Sequence, residues 1–418
     1  MKNVDLVIVG GGSAGLAAAL QAKEEGIQDI LILEKENCLG GILQQCIHNG
    51  FGLHRFKEQL SGPEYAQRYI DEINEKKIPY KLNTSVYEIN QDKEIFYTNE
   101  KEGCVKIQAK AIIMATGCSE RSAGAIQLEG ARVSGILSAG LAQKYMNIDG
   151  YMIGKKVFIL GSGDIGLIMA RRCTLEGAKV LGVAEIMPYS NGLNRNIVQC
   201  LNDFNIPLYL SHTVKKVIGK NRVEKIILTQ VDENLNYIEN TEKEFECDTL
   251  ILSVGLVPYN PLLEKLNIPL HYKTKGIEVD QDYQCCKEGI FSCGNALHVH
   301  DLVDFVSQEA CMAAKGAVKY LKNQISTNSK EHLTIPANGI SYVLPQKFKM
   351  DEKDTSIDFK FRVSKPFSSC FIEIKAGNQV IKKIKKLYLL PAEMEIISLD
   401  TKLFSSEFEN LTFEIKED

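Results

Sequence analysis

Residues 40–52 read GGILQQCIHNGFG, with Cys46 two positions before His48 and just past a glycine pair. A thiol beside an imidazole can be a nucleophile, because a neighbouring base that holds it as thiolate makes it reactive at neutral pH. A two-cysteine redox centre would instead need C-x-x-C or C-x-x-x-x-C, and neither spacing occurs among the twelve cysteines. Cys46 and His48 are therefore the candidate catalytic pair. Arg121 could hold an acidic group. His298 and His300, in HVHD, could face a substrate pocket. Two histidines at i, i+2 do not share a helix face, and no cysteine spacing suits zinc or an iron–sulfur cluster. No metal site is expected.

Two glycine turns carry a more specific signal. Gly10, Gly12 and Gly15 form G-x-G-x-x-G between an apolar strand (Val4 to Val9) and an alanine-rich helix, and Glu34 follows nineteen residues after Gly15 at the end of the next strand. The first glycine permits the tight turn, the second lets backbone approach a pyrophosphate, and the third lets helix pack on strand. The distal carboxylate accepts from a ribose hydroxyl. Gly161, Gly163 and Gly166 repeat the pattern within 155–185, and Glu185 again lies nineteen residues on. An acid there accepts from a 2′-hydroxyl and repels a 2′-phosphate, and AEIMPYSNG brings no cluster of Arg or Lys. The second turn is expected to favour NAD(H) over NADP(H).

The remaining pattern supplies a scaffold for these turns. An amphipathic helix is expected over 63–77, an antiparallel meander over 80–113 and a short buried strand ending in a turn at AIIMATG (111–117). A helix follows at about 193–204, then DTLILSVG (248–255) as a strand, then a strand, a Gly-Asn turn and a long helix over 289–321. From about 331 the period drops to two, as in IDFKFRV, with a hairpin turn at AGN (376–378) and a lysine run in VIKKIKK read as a solvated or edge-protecting face. The expected fold is α/β, with two Rossmann-like dinucleotide-binding domains and a C-terminal all-β domain. The expected boundaries are 1–150 with 271–325, then 151–270, then a sandwich-like accessory domain at 331–418.

Composition is that of an ordinary globular protein, 44% apolar and 24% charged with net charge −4. That balance gives no reason to expect nucleic acid. No stretch approaches the roughly 18 apolar residues of a membrane span. The first residues read as strand–turn–helix rather than as an export signal, so reduced thiols and a cytoplasmic location are expected. The sequence is compatible with an oligomer.

The ordered set G-x-G-x-x-G, ATG (115–117), second G-x-G-x-x-G, SVG (253–255) and GIFSCGN (289–295) resembles flavoproteins with two dinucleotide-binding domains. Thioredoxin reductase, NADH oxidase and the pyridine nucleotide–disulfide oxidoreductases are of that kind. The resemblance implies FAD at the first turn and nicotinamide at the second. By position it implies Gly10, Gly12, Ser13, Ala14, Gly15, Glu34, Lys35 and Gly41 along the FAD pyrophosphate and adenosine, with Val86 at the adenine. Ala115, Thr116 and Gly117 would lie near the pyrophosphate, and Gly294 and Asn295 at the ribityl chain. The family usually has Gly-Asp where this chain has Gly-Asn, which keeps an acceptor and loses a charge. Gly161, Gly163, Asp164, Ile165, Gly166, Glu185 and Gly255 would hold NAD. The helix near Asp304 would aim its N-terminus at the flavin, and Gln308 and Glu309 would either reach the flavin or simply continue that helix.

A narrower resemblance rests on GGILQQCIHNGFGLHRFKEQLSGPEYA, ATGCSER, MARRCTLEGAKV, CGNALHVHDLVDFVSQEA and YLLPAEMEIISL. These stretches are similar to FAD-dependent oxidoreductases encoded beside a glycerol-3-phosphate dehydrogenase-like protein in anaerobic bacteria. More distantly they are similar to flavoprotein subunits of opine oxidase, hydrogen cyanide synthase and dye-linked proline dehydrogenase. The resemblance implies a hydride-transfer subunit that passes electrons between NAD(H) and a redox partner, with any iron–sulfur centre in that partner. Two other readings stay open at this point. One is a stand-alone NADH oxidase or small-molecule reductase acting through Cys46. The other is a non-catalytic flavin-bearing subunit that docks through its β domain.

Overall fold

The computed structural model describes residues 2–324, 330–350, 356–404 and 408–417. The chain forms two compact units. One comprises residues 1–44, 49–118 and 258–418, the other 45–48 and 119–257.

The first unit is built on strand Lys2–Val9, which pairs in parallel with Ile30–Leu33 on one side and with Gly103–Met114 on the other. All four residues of Ile30–Leu33 are buried, as expected of a parallel strand covered on both faces. AIIMATG does not begin a strand of its own. Its first residues finish the twelve-residue strand Gly103–Met114, whose early part pairs antiparallel with Glu94–Asn99 and whose late part joins the parallel sheet. One extended strand thus serves two pairings. Ile290–Ser292 adds a parallel partner to the same strand. Helix Ser13–Glu24 packs along helix Val303–Leu321 through small residues such as Ala17, Ala18, Ala313 and Ala317. Helix Gly62–Glu75 starts at a capping box, where the Ser61 backbone N–H donates to Glu64 Oε2 at 2.7 Å.

The rest of this unit is a two-sheet β-sandwich. Five strands run in the order Lys347–Lys349, Glu331–Pro336, Asn410–Glu417, Phe367–Ala376 and Gln379–Leu389. Three more run Ile340–Leu344, Ser356–Val363 and Glu395–Asp400. Phe348, Phe359, Phe361 and Phe413 fill the space between the sheets. The lysine run occupies the edge strand Gln379–Leu389, where Lys383 pairs with Glu373 and Lys386 with Glu395. Along Ser356–Val363, Ile357, Phe359, Phe361 and Val363 face this core. Lys360, on the opposite face, is also buried.

The second unit has a five-stranded parallel sheet, in the order Ile136–Ser138, Thr249–Leu252, Lys156–Leu160, Lys179–Glu185 and Leu208–Leu210. Helices Ala139–Asn147, Asp164–Leu175 and Asn194–Cys200 belong to this unit. A second sheet, of Glu129–Gly130, His212–Gly219, Val223–Gln230 and Lys243–Glu246, completes it. No helix among the described residues is long and apolar enough to cross a membrane.

The first turn depends on close backbone approach. A Cβ at Gly15 would come within 1.9 Å of Gly10 O, whereas one at Gly124 would meet nothing nearer than 3.7 Å. Gly15→Ala is expected to destabilise the protein by about 1–3 kcal/mol through forced overpacking. Gly124→Ala should stay within about 0.5 kcal/mol of wild type. Denaturant unfolding of both variants provides the check.

Candidate functional site

The two turns repeat one another in atomic detail. The Gly11 N–H donates to Glu34 Oε2 at 2.6 Å, and the Glu36 N–H to Glu34 Oε1 at 2.8 Å. In the second turn the Ser162 N–H donates to Glu185 Oε2 at 3.0 Å and the Met187 N–H to Glu185 Oε1 at 3.0 Å. Ser162 Oγ adds a third donor to Glu185 at 2.6 Å. Both carboxylates are buried. Each locks its glycine turn to the end of the neighbouring strand and keeps lone-pair capacity for a further donor. Gly166 repeats the packing of Gly15, since a Cβ there would lie 2.6 Å from Gly161 O.

The first turn also has room for a ligand. Gly12 bridges to Gly40, and a Cβ at Gly41 would stand 3.0 Å from Gly12 Cα. The Cβ direction of Gly12 meets no atom nearer than 3.9 Å, and that of Gly117 meets nothing within 4 Å. Bare backbone facing open space beside a helix N-terminus suits a pyrophosphate, so these residues fit a dinucleotide. Ser13 and Ala14 open that helix. Lys35 is exposed and lies 3.9 Å from Glu36. Val86 sits in strand Ser85–Ile89, just past the Thr84 N–H that donates to Glu34 O at 2.8 Å. Ala115 is joined to Val9 by a backbone hydrogen bond, and Thr116 Oγ1 donates to Tyr259 O at 2.7 Å.

In the second unit, Asp164 Oδ1 accepts from the Leu193 N–H at 2.8 Å and from Asn196 Nδ2 at 2.6 Å, which draws the 190–196 loop over the turn. Ile165 packs into the core of this unit. The Arg121 N–H donates to Gly255 O at 3.1 Å, so two residues singled out separately in the sequence are neighbours.

Gln45–His48 pack with the second unit. Gln45 Nε2 donates to Gly140 O at 2.8 Å and to Gln143 Oε1 at 3.1 Å, and Asn147 Nδ2 donates to Gln45 O at 2.8 Å. Burial pushes the Cys46 thiol up to about 12. Burial pulls His48 down to about 4, with the charges of Arg195 and Arg171 adding to the effect. Near neutral pH the pair is a thiol and an uncharged imidazole, the reverse of what an activated nucleophile needs.

His298 and His300 converge on a side chain the sequence left undecided. Glu309 is fully buried. His298 Nε2 lies 2.8 Å from Glu309 Oε2, and His300 Nε2 lies 3.4 Å from the same oxygen. Lys360 Nζ donates to Glu309 Oε2 at 2.6 Å and to the Tyr283 hydroxyl at 2.9 Å. The other oxygen, Oε1, accepts the Gly294 N–H at 2.8 Å. Burial holds His298 down near 4, so the neutral ring donates through Nε2 and accepts at Nδ1 from the Tyr342 hydroxyl, 3.2 Å away. His298, His300 and Glu309 offer ligand atoms within 4.8 Å of one another, but the Lys360 ammonium already supplies a cation at that carboxylate.

Asn295 Oδ1 accepts the His300 N–H at 3.0 Å, so the amide that replaces the usual aspartate turns back onto its own loop. The Asp304 carboxylate, in the first turn of the long helix, accepts from Gly52 N at 3.1 Å and Arg55 N at 2.7 Å. Arg362 pairs with Asp301 and donates to Val299 O at 3.1 Å. The Met394 N–H donates to the other oxygen of Asp301 at 2.8 Å. The sandwich thus grips residues 298–309 through Tyr342, Lys360, Arg362 and Met394. Sequence reasoning missed these groups. The one available signal was the D-x-K-x-R alternation at 358–362, which reads equally well as a solvent face.

Residues 4–319 match the pyridine nucleotide-disulphide oxidoreductase family. The chain belongs to this family. It is 25% identical over 311 residues to an NAD(P)H sulfur oxidoreductase (CoA-dependent) of Pyrococcus abyssi, a match spanning 71% of this chain and 64% of that relative. It is 21% identical over 346 residues to one of the subunits of opine oxidase from Agrobacterium tumefaciens, spanning 78% of this chain and 68% of that one. The fold is similar to that of thioredoxin reductase from T. acidophilum, with a TM-score of 0.63 at 23% identity over 78% of this chain and 100% of the other. The α/β class expected from the sequence is the one found, with the additional β-rich C-terminal region. The family's members are FAD- and NAD(P)-dependent oxidoreductases, the enzyme class expected from the sequence.

Cys46 should behave as an unactivated thiol. Its alkylation, followed by peptide mapping, should accelerate about tenfold per pH unit through the neutral and alkaline range, because only the thiolate reacts. An inflection near neutral pH would mean an activated thiol.

Proposed function

We propose that this protein is an FAD-dependent oxidoreductase that passes electrons between NAD(H) and a second redox protein without a dithiol centre. The observation that carries the reading is the pair of matching glycine turns, each locked by a buried carboxylate, in a sequence whose twelve cysteines include neither a C-x-x-C nor a C-x-x-x-x-C spacing. FAD held at the first turn would supply the two-electron chemistry. Gly12, Gly41 and Gly117 would present backbone to its pyrophosphate, and Glu34 would accept from its adenosine ribose. Glu185, with Gly161, Gly163 and Gly166, would hold the nicotinamide dinucleotide and favour NADH over NADPH. The neutral state of Cys46 and His48 favours a packing role over covalent chemistry. Arg121, beside Gly255, would hold an acidic group of substrate or cofactor. His298 and His300 act from within the buried cluster.

The partner we favour is a glycerol-3-phosphate dehydrogenase-like protein or an iron–sulfur protein, in the cytoplasm. The reading rests on the sequence resemblance and on the similarity to a relative that is itself named as part of a multi-subunit oxidase.

Anaerobic NADH should bleach the visible flavin band of the purified holoprotein. No bleaching by NADH or NADPH would overturn the reading. Glu185→Ala should raise KM for NADH and reduce the preference for NADH over NADPH by about tenfold, the factor carried by about 1.4 kcal/mol. Steady-state kinetics with both nucleotides and an artificial acceptor measure this.

A further inference from the structure

The Gly294–Asn295 turn hangs from one oxygen of Glu309, and the other oxygen of that carboxylate is held by a lysine of the β-sandwich. We propose that Lys360 is a positioning residue for this turn: it neutralises Glu309 and so fixes the carboxylate that anchors the Gly294 N–H, making the sandwich part of the flavin-binding module. The inference rests on the proposed FAD site at the first turn and adds to it a residue from outside the family-matched region.

Charge counting supports the assignment. Glu309 is fully buried, and its ionised form needs a cation within reach. His298 does not supply one, because burial keeps it neutral and Lys360 itself adds to that effect. The His300 ring nitrogen at 3.4 Å makes no hydrogen bond to the carboxylate. Lys360, at 2.6 Å, is the nearest cation and is hydrogen-bonded to the carboxylate, and its own side chain is 9% exposed. The anchor it stabilises leads to the first turn. Gly294 has φ +65°, and a Cβ there would stand 3.0 Å from Cβ of Ala14, the residue before Gly15 of the first G-x-G-x-x-G. A shift of the Gly294 turn therefore bears directly on the helix that opens the first turn. Tyr342 on His298 and Arg362 on Asp301 hold the following residues from the same sheet, so the segment is fixed at three points.

Removing the lysine alone leaves the buried Glu309 anion two courses: it turns toward another donor, or it draws charge onto His298 in place of Lys360. Each changes the grip on Gly294. Removing both charges does not, because the amide oxygen of a glutamine at 309 still accepts the Gly294 N–H.

The test is a double-mutant cycle on the full chain with Lys360→Met, Glu309→Gln and the double variant. FAD affinity of the apoprotein is read by flavin fluorescence, and the fold by circular dichroism. Lys360→Met should weaken FAD binding about tenfold or more, and Glu309→Gln in the same chain should restore most of that loss. His298, followed by NMR, should titrate higher in Lys360→Met than in wild type. Unchanged FAD affinity in Lys360→Met would overturn the inference whatever His298 does, while leaving the FAD reading intact. A double variant as weak as Lys360→Met would also overturn it, because that is the signature of packing alone. Wild-type protein that takes up no FAD would overturn the FAD reading and this inference with it. Should Lys360→Met fail to fold, the double variant decides: folded and FAD-binding supports the inference, equally unfolded overturns it.

Discussion

A carboxylate with no access to water has to find its charge balance inside the protein. Glu309 does so with a lysine contributed by a strand more than fifty positions further along the chain. Much of the first unit depends on that pairing. The long helix carries Glu309, the Gly-Asn turn hangs from it, and the sandwich reaches it through Lys360. Removing the sandwich would take Lys360 from Glu309 and Arg362 from Asp301. Breaking such a pair from one side is far costlier than replacing both partners.

The two dinucleotide turns show the same economy on a smaller scale. In each, one glutamate ends a strand, accepts the N–H of the turn and closes onto its own downstream backbone. The carboxylate is thereby fixed before any ligand arrives, so ordering it adds nothing to the cost of binding. Ser162 tightens the second copy with a hydroxyl that the first copy, with Gly11 in that place, lacks.

Much of this was legible in the sequence. The glycine spacings, the glutamate nineteen residues on and the period-two alternation of the sandwich all correspond to elements in the structure, because each reflects a local backbone or burial requirement. What was not legible came from faces whose covering lies elsewhere in the chain. Asp358, Lys360 and Arg362 alternate with Ile357, Phe359 and Phe361, the usual mark of a strand with one wet face. In the structure that face meets the helix carrying Glu309, and Lys360 is buried. Cys46 and His48 are a related case: their burial, which a short motif does not reveal, pushes the thiol up and the imidazole down. The strand Gly103–Met114 looks divided in the sequence because a local window cannot show that one strand changes partners along its length.

That shared strand has a consequence for biosynthesis. Its neighbours come from residues 2–9, 94–99 and 290–292, and the clasp on Gly294 needs residue 360. The second unit draws almost all of its residues from 119–257 and can close as soon as that stretch has left the ribosome. The first unit waits, with its sheet open at one edge, until residues 290–292 and then residue 360 have followed. The Gly294 turn therefore takes its final shape only after the second unit can already have closed.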